Sequence, residues 1–193
     1  MAHVNAQPNP ERFALKRTIV LVGMMGAGKT AIGRALAARL GAPFKDSDHE
    51  VELAANMTIA EIFERDGEPF FRDKEAQVIA RLLDETPSIL STGGGAFLRD
   101  DTKAAIAERG LSVWLEADLE LLWERVRHKD TRPLLRTPDP KATLARIMAE
   151  RVPHYAQAGL AVAADPKYSI EDMTDAVIAA LSARPDVLEV QNA

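Results

Sequence analysis

The chain has 193 residues, with 24 Lys and Arg against 29 Asp and Glu for a net charge of −5, a length that suits one domain with a substantial core. The acidic balance argues against a nucleic-acid or anionic-membrane binder, which would show a basic excess. The lack of cysteine excludes disulfides and thiolate metal sites.

In chain order, MAHVNAQPNPERFALK reads as an unstructured tail over residues 1–16, with prolines and a glutamate where a signal peptide needs an apolar core. Strands are predicted at 18–22 (TIVLV), 43–46, 88–92 (SILST), 112–116 (SVWLE) and 160–164 (LAVAA). Helices are predicted near 29–39, 49–55, 59–65, 69–84, 101–108, 118–127, 140–156 and 170–183. Residues 184–193 read as a second tail. Short apolar strands alternating with helices imply an α/β fold, a parallel sheet covered on both faces. Ligands of such sheets bind beyond the carboxyl ends of the strands. No apolar run approaches the roughly 18 residues of a membrane span, so a cytoplasmic protein without a membrane partner is expected.

GMMGAGKT follows the first predicted strand and precedes a helix. Gly23-x-x-x-x-Gly28-Lys29-Thr30 is the P-loop pattern in the context it requires. Its glycines let backbone N–H groups turn inward, and the helix N-terminus adds positive potential, so a nucleotide triphosphate is favoured. Gly26, Ala27, Gly28, Lys29, Thr30 and Ala31 form this cradle, with Lys29 reaching the β- and γ-phosphates and the Thr30 hydroxyl on Mg²⁺. In FKDSD, strand spacing puts Asp46 and Asp48 on one side at the ligand edge. One carboxylate suits a Mg²⁺ water shell and the other a substrate hydroxyl, although an N-cap explains one of the two aspartates equally well. STGGGA (91–96) ends the third strand, and three glycines in a row are costly to order unless something must approach the backbone closely.

Two arginines fall on apolar helix stripes. Arg72 stands 7 and 11 residues before Ile79 and Leu83, and Arg151 stands 7, 4 and 3 residues after Leu144, Ile147 and Met148. An arginine on such a face needs an anionic partner. For either one alone a structural salt bridge to a nearby Glu is the simpler reading; two in a P-loop protein suggest a small carboxylate held bidentately. RHKDTRPLLRTPDP (127–140), with four basic side chains besides His128 and three prolines, is either a solvated loop or a lid that brings an arginine over a phosphate.

Taken together, GMMGAGKT, DSD, GEPFFR, STGGGA, TRPLL and ERVPHY resemble the shikimate kinase family in order and spacing, over about residues 18–182. The resemblance implies the nucleoside-monophosphate-kinase-like fold, with a five-stranded parallel sheet of order 2-3-1-4-5. It implies a single domain over 17–183, with a substrate-binding part near 47–75 and a lid near 127–140. The implied reaction moves the ATP γ-phosphoryl group to the 3-hydroxyl of shikimate, with Mg²⁺, in a monomer. Carried over by position, Asp48, Arg72, Gly94 and Arg151 look like the shikimate contacts, and Thr30 and Asp46 like the metal-side residues. Arg132 looks like the lid arginine that reaches the nucleotide, making Lys29, Asp48 and Arg132 the catalytic set. Phe63 and Phe71 would line the substrate pocket, ADPKY (164–168) is a loose match to the adenine region, and Arg125 is a candidate base-stacking residue. Two other readings stay open at this point: a P-loop kinase with another acceptor such as gluconate, and a nucleotide-binding module without turnover.

Overall fold

The computed structural model describes residues 12–128 and 133–191. Its elements in chain order are β1 (Arg12–Leu15), β2 (Thr18–Val22), α1 (Lys29–Leu40), β3 (Phe44–Asp46), α2 (Ser47–Ala55), α3 (Ile59–Leu83) and β4 (Ile89–Ser91). There follow α4 (Asp100–Arg109), β5 (Gly110–Glu116), α5 (Leu119–Val126), α6 (Pro140–Tyr155), β6 (Leu160–Ala163), α7 (Ile170–Ser182) and β7 (Leu188–Gln191). Short 3₁₀ turns occur at Ala96–Leu98 and Pro133–Leu135.

Five strands form a parallel sheet in the order β3-β4-β2-β5-β6. This is the expected 2-3-1-4-5 order once the expected strands are numbered along the chain. TIVLV occupies the centre and is buried along its whole length. That position explains its unbroken apolar run, because helices cover both faces of a central parallel strand. Helix α1 starts where Gly28, at φ 95°, turns the chain out of the loop, a left-handed conformation that costs glycine little. Gly41 ends the helix in the same region and returns its N–H to Ala37 and Ala38 carbonyls.

Three expectations change. The two helices expected at 59–65 and 69–84 lie on one element, α3, broken at Gly67 (φ 82°, ψ 170°), with Pro69 opening the second limb. The aspartates do not share a strand. β3 stops at Asp46, whose side chain accepts from the Asp48 and His49 N–H groups, so the backbone turns helical at once and Asp48 sits in the first turn of α2. The expected tails are also partly ordered. β1 and β7 pair antiparallel, Phe13 opposite Val190 and Leu15 opposite Leu188, and Lys16 N–H donates to the Val187 carbonyl at 2.8 Å. Val187 and Leu188 are fully buried and Phe13 and Leu15 pack on the core, so burial of these apolar side chains orders both segments.

Among the described residues, no helix is long and apolar enough to cross a membrane.

Candidate active site

The carboxyl ends of β2, β3 and β4 open onto a cleft of about 590 Å³. One wall is the loop and first turn of α1, with Gly26, Gly28, Lys29, Thr30 and Ala31. Asp46 and Asp48 stand beside it, and Ser91 to Gly94 form the floor beyond β4. The Lys29 ammonium donates to the carbonyls of Gly23 (2.7 Å) and Met24 (2.9 Å), which folds it back along the loop. Ala27 is fully buried beneath the loop. Arg125, on α5, donates to the carbonyls of Gly26 (3.2 Å) and Ala27 (3.4 Å) and lines the same wall. The far wall is Tyr168, Ser169, Ile170 and Met173, at the start of α7. Sequence reading had only the loose ADPKY match there. The wall is made by the N-terminus of a helix distant in the chain, and its residue types carry no motif.

The glycine run has a spatial reason. A Cβ on Gly93 would meet the Asp48 carboxylate at 3.1 Å and the Glu75 carboxylate at 3.1 Å. On Gly94 it would lie 2.7 Å from an Arg151 nitrogen, and on Gly95 2.6 Å from the Arg72 guanidinium carbon. Three consecutive residues without side chains thus gather Asp48, Arg151 and Arg72, carried by α2, α6 and α3, around one stretch of backbone. This is the close approach that three glycines permit.

Arg72 is ion-paired to Glu75 at 2.8 Å and to Glu68 at 3.2 Å. The salt-bridge reading of Arg72 is therefore correct as far as it goes. Glu75 is buried, and one of its oxygens, Oε1, has no hydrogen-bond partner among the described residues. Burial pushes the Glu75 carboxyl above its ordinary range, against the pull of Arg72. Glu75 was missed from sequence although it stands three residues after Arg72. Its place on the stripe of Val78, Ile79 and Leu82 was the available signal. Arg151 differs from Arg72: it makes no ion pair among the described residues. The Tyr155 hydroxyl, fully buried, donates to the Gly94 carbonyl at 2.6 Å and fixes the loop from the α6 side.

Asp48 is likewise raised above the ordinary aspartate range, first by burial and then by the charge of Asp46, with Arg72 and Lys29 partly offsetting both. Phe71 is buried and stacks on Phe63 at 5.0 Å between ring centroids, with the Arg72 guanidinium 5.1 Å from the Phe71 ring. Neither phenylalanine lines the 590 Å³ cleft, and neither do Arg72 and Arg151. Arg132 lies outside the described residues.

The family model for shikimate kinase matches residues 25–182. The chain belongs to the shikimate kinase family. It is 66% identical over 177 residues to the shikimate kinase of Ruegeria pomeroyi, covering 92% of this chain and 91% of that one. The Cereibacter sphaeroides shikimate kinase is 62% identical over 175 residues, covering 91% and 87%. A solved structure of the Acinetobacter baumannii enzyme in complex with shikimate superposes with a TM-score of 0.80 at 36% identity, over 87% of this chain and 94% of that one. The chain is thus an ATP-dependent phosphotransferase of the shikimate pathway. Family membership sets aside the gluconate-kinase and turnover-free readings.

Proposed function

We propose that this kinase holds its acceptor, shikimate, in the recess around Gly93–Gly95 and its nucleotide along Gly26–Ala31. The observation that carries the reading is the convergence of Asp48, Arg72 and Arg151 on three successive glycines beside the P-loop.

The acceptor carboxylate fits between the Arg72 and Arg151 guanidinium groups. Arg72 is steadied by Glu75, while Arg151 makes no ion pair among the described residues and lies against the Tyr155 hydroxyl, which leaves its charge for a ligand. Gly94 leaves the backbone open to the ring. With the carboxylate fixed, the ring turns its 3-hydroxyl toward Asp48, which orients that hydroxyl and takes its proton. A loose phosphoryl-transfer transition state asks little of the base, so Asp48 contributes mainly by positioning.

On the nucleotide side, the loop N–H groups and Lys29 neutralise charge on the β- and γ-phosphates. In doing so the Lys29 ammonium exchanges its bonds to the Gly23 and Met24 carbonyls for phosphate oxygens. The family resemblance adds Arg132, outside the described residues, to the charges that act on these phosphates.

The oxygen donors at the cleft fit Mg²⁺. Asp46 commits Oδ1 to the α2 cap and keeps Oδ2 for another partner, and the Thr30 hydroxyl lines the same wall. Mg²⁺ binds through one or two protein oxygens alongside water and phosphates. Bound there by Thr30 and Asp46, it would screen the phosphate charge. The reading also takes the chain as a cytoplasmic monomer.

A coupled ADP-release assay with shikimate, gluconate or no acceptor tests the assignment. ADP release should depend on shikimate and on Mg²⁺. Arg72→Ala and Arg151→Ala should each weaken shikimate use by two to four powers of ten, the scale of about 3–5 kcal/mol for removing one partner of a buried charge pair. Nucleotide affinity should stay near the parent value. Arginine variants that lost ATP affinity but kept normal shikimate kinetics would move both residues to the nucleotide site.

A further inference from the structure

A second cavity, of about 300 Å³, lies on the far side of α3, between that helix and α2. Its floor is apolar and buried: Val51 from α2 with Ile62 and Val78 from the two limbs of α3. Phe70 forms a side wall and is 37% exposed. Around the rim stand three cations, Arg65, Lys74 and Arg81, and no carboxylate lines the cavity. Arg65 is paired with Asp66, and Arg81 with Glu50 and Glu85. Lys74 makes no ion pair among the described residues. Its ammonium lies 5.4 Å from the Phe70 ring centroid and donates to the uncharged Gln77 side chain at 3.2 Å.

We propose that this groove binds a small carboxylate with a compact apolar ring, the ring packed against Phe70 and the apolar floor and the carboxylate on Lys74. Three observations converge on that chemistry. The volume is at the lower end of small-ligand pockets, sufficient for one ring and a short side chain. The floor rejects charge, because a polar group there would be buried without a partner. The rim supplies positive charge, including an ammonium that no carboxylate of the described chain answers.

The position gives the site a consequence for catalysis. Residues 70, 74, 77 and 81 form one stripe of the second limb of α3 with Val78 at its edge, whereas Arg72 lies on the opposite stripe and Glu75 between them, both reaching the glycine loop. The groove also spans the break at Gly67, with Ile62 and Arg65 before it and Phe70 onward after it. A ligand that touches both limbs fixes the angle between them, and with it the placement of Arg72. Occupancy of the groove therefore alters acceptor binding without touching the nucleotide loop. This second consequence rests on Arg72 serving the acceptor, whereas the binding site does not.

The test uses the full ¹⁵N-labelled chain titrated with 3-phenylpropionate, with its neutral amide and with cyclohexanecarboxylate. Both carboxylates should shift amide resonances of residues 51–57 and 62–81, and the amide should bind about tenfold more weakly. Lys74→Gln, a substitution of a half-buried side chain outside the acceptor and nucleotide sites, should weaken carboxylate binding about tenfold while leaving turnover without ligand unchanged. No shifts in this region, equal binding of acid and amide, or no effect of Lys74→Gln would each overturn the site. Shifts that track protein concentration would make the groove a self-association surface and also overturn it. Displacement of the probe by shikimate would place it in the acceptor recess, again refuting the proposal. With binding established, the probe should shift the KM for shikimate to a plateau that more probe does not change, as a separate site requires, and leave the KM for ATP alone. An unchanged KM for shikimate would refute the coupling and leave the site standing.

Discussion

Replacing Gly95 with alanine isolates the geometry of the acceptor recess from its chemistry, because no charged group is removed. Gly95 has φ −92° and ψ −13°, which alanine adopts without strain. The new methyl would lie 2.6 Å from the Arg72 guanidinium carbon and from both terminal nitrogens, where ordinary contact begins at 3.4 Å. The guanidinium must therefore retreat by about 0.8 Å, the difference between those distances. It sits at the end of a flexible side chain, so the fold itself loses little, under about 1 kcal/mol, or roughly 2–4 °C in Tm for a chain of this size. Catalysis is less forgiving: a misplacement of about 1 Å in a positioning group costs on the order of 100-fold, equivalent to about 2.8 kcal/mol. Gly95→Ala should thus lower kcat/KM for shikimate by about two powers of ten while the melting temperature and ATP affinity barely move. The assay is coupled ADP release with each substrate varied in turn, beside calorimetric nucleotide binding and a thermal melt. Wild-type shikimate kinetics in a folded Gly95→Ala protein would refute the role of Arg72, as would a loss confined to the KM for ATP.

Lys29→Met should lower turnover at least 10²–10³-fold, the scale for losing one preorganised donor to developing charge, with circular dichroism unchanged; a fully active variant would sink the phosphate assignment. Asp48→Asn should cost 10²–10⁴-fold in kcat if Asp48 both orients the hydroxyl and takes its proton. Because the folded protein raises the Asp48 pKa, the stability linked to this group is fully present below its unfolded value of about 3.9 and is lost as pH rises through the folded value. The Tm of Asp48→Asn relative to the parent should accordingly climb from acid to neutral pH, and a flat or falling difference would contradict the raised pKa. Tyr155→Phe leaves the Gly94 carbonyl without its 2.6 Å donor and should destabilise the fold by about 1–3 kcal/mol in a urea titration.

Much of this molecule was legible in one dimension because its determinants are local. TIVLV, SILST and SVWLE are apolar runs whose burial on both faces is implied by their own composition, and the structure places them at the sheet centre. The glycine loop was readable because a cradle of backbone N–H groups needs consecutive residues of one kind at fixed spacing. Asp46 and Asp48 were found by their position after a strand. The reason given for them was wrong, since local capping by Asp46 turns the backbone into a helix before Asp48 is reached.

What only the tertiary structure decided depends on residues far apart in the chain. β1 and β7 are too short to announce themselves; each is ordered by the other and by the core beneath them, across more than 170 residues of intervening chain. Glu75 looked like one more acidic residue on a helix until the packing of α3 brought it against the glycine loop at Gly93. Which wall closes the nucleotide cleft was likewise settled by the docking of α7 against α1. Sequence by itself determined the five strands of the parallel sheet, most of the helices and the glycine loop, since hydrophobic periodicity and backbone conformation act between neighbours. The partners of each charge and the packing of each glycine came from the fold, because desolvation and van der Waals contact depend on what lies nearby in space.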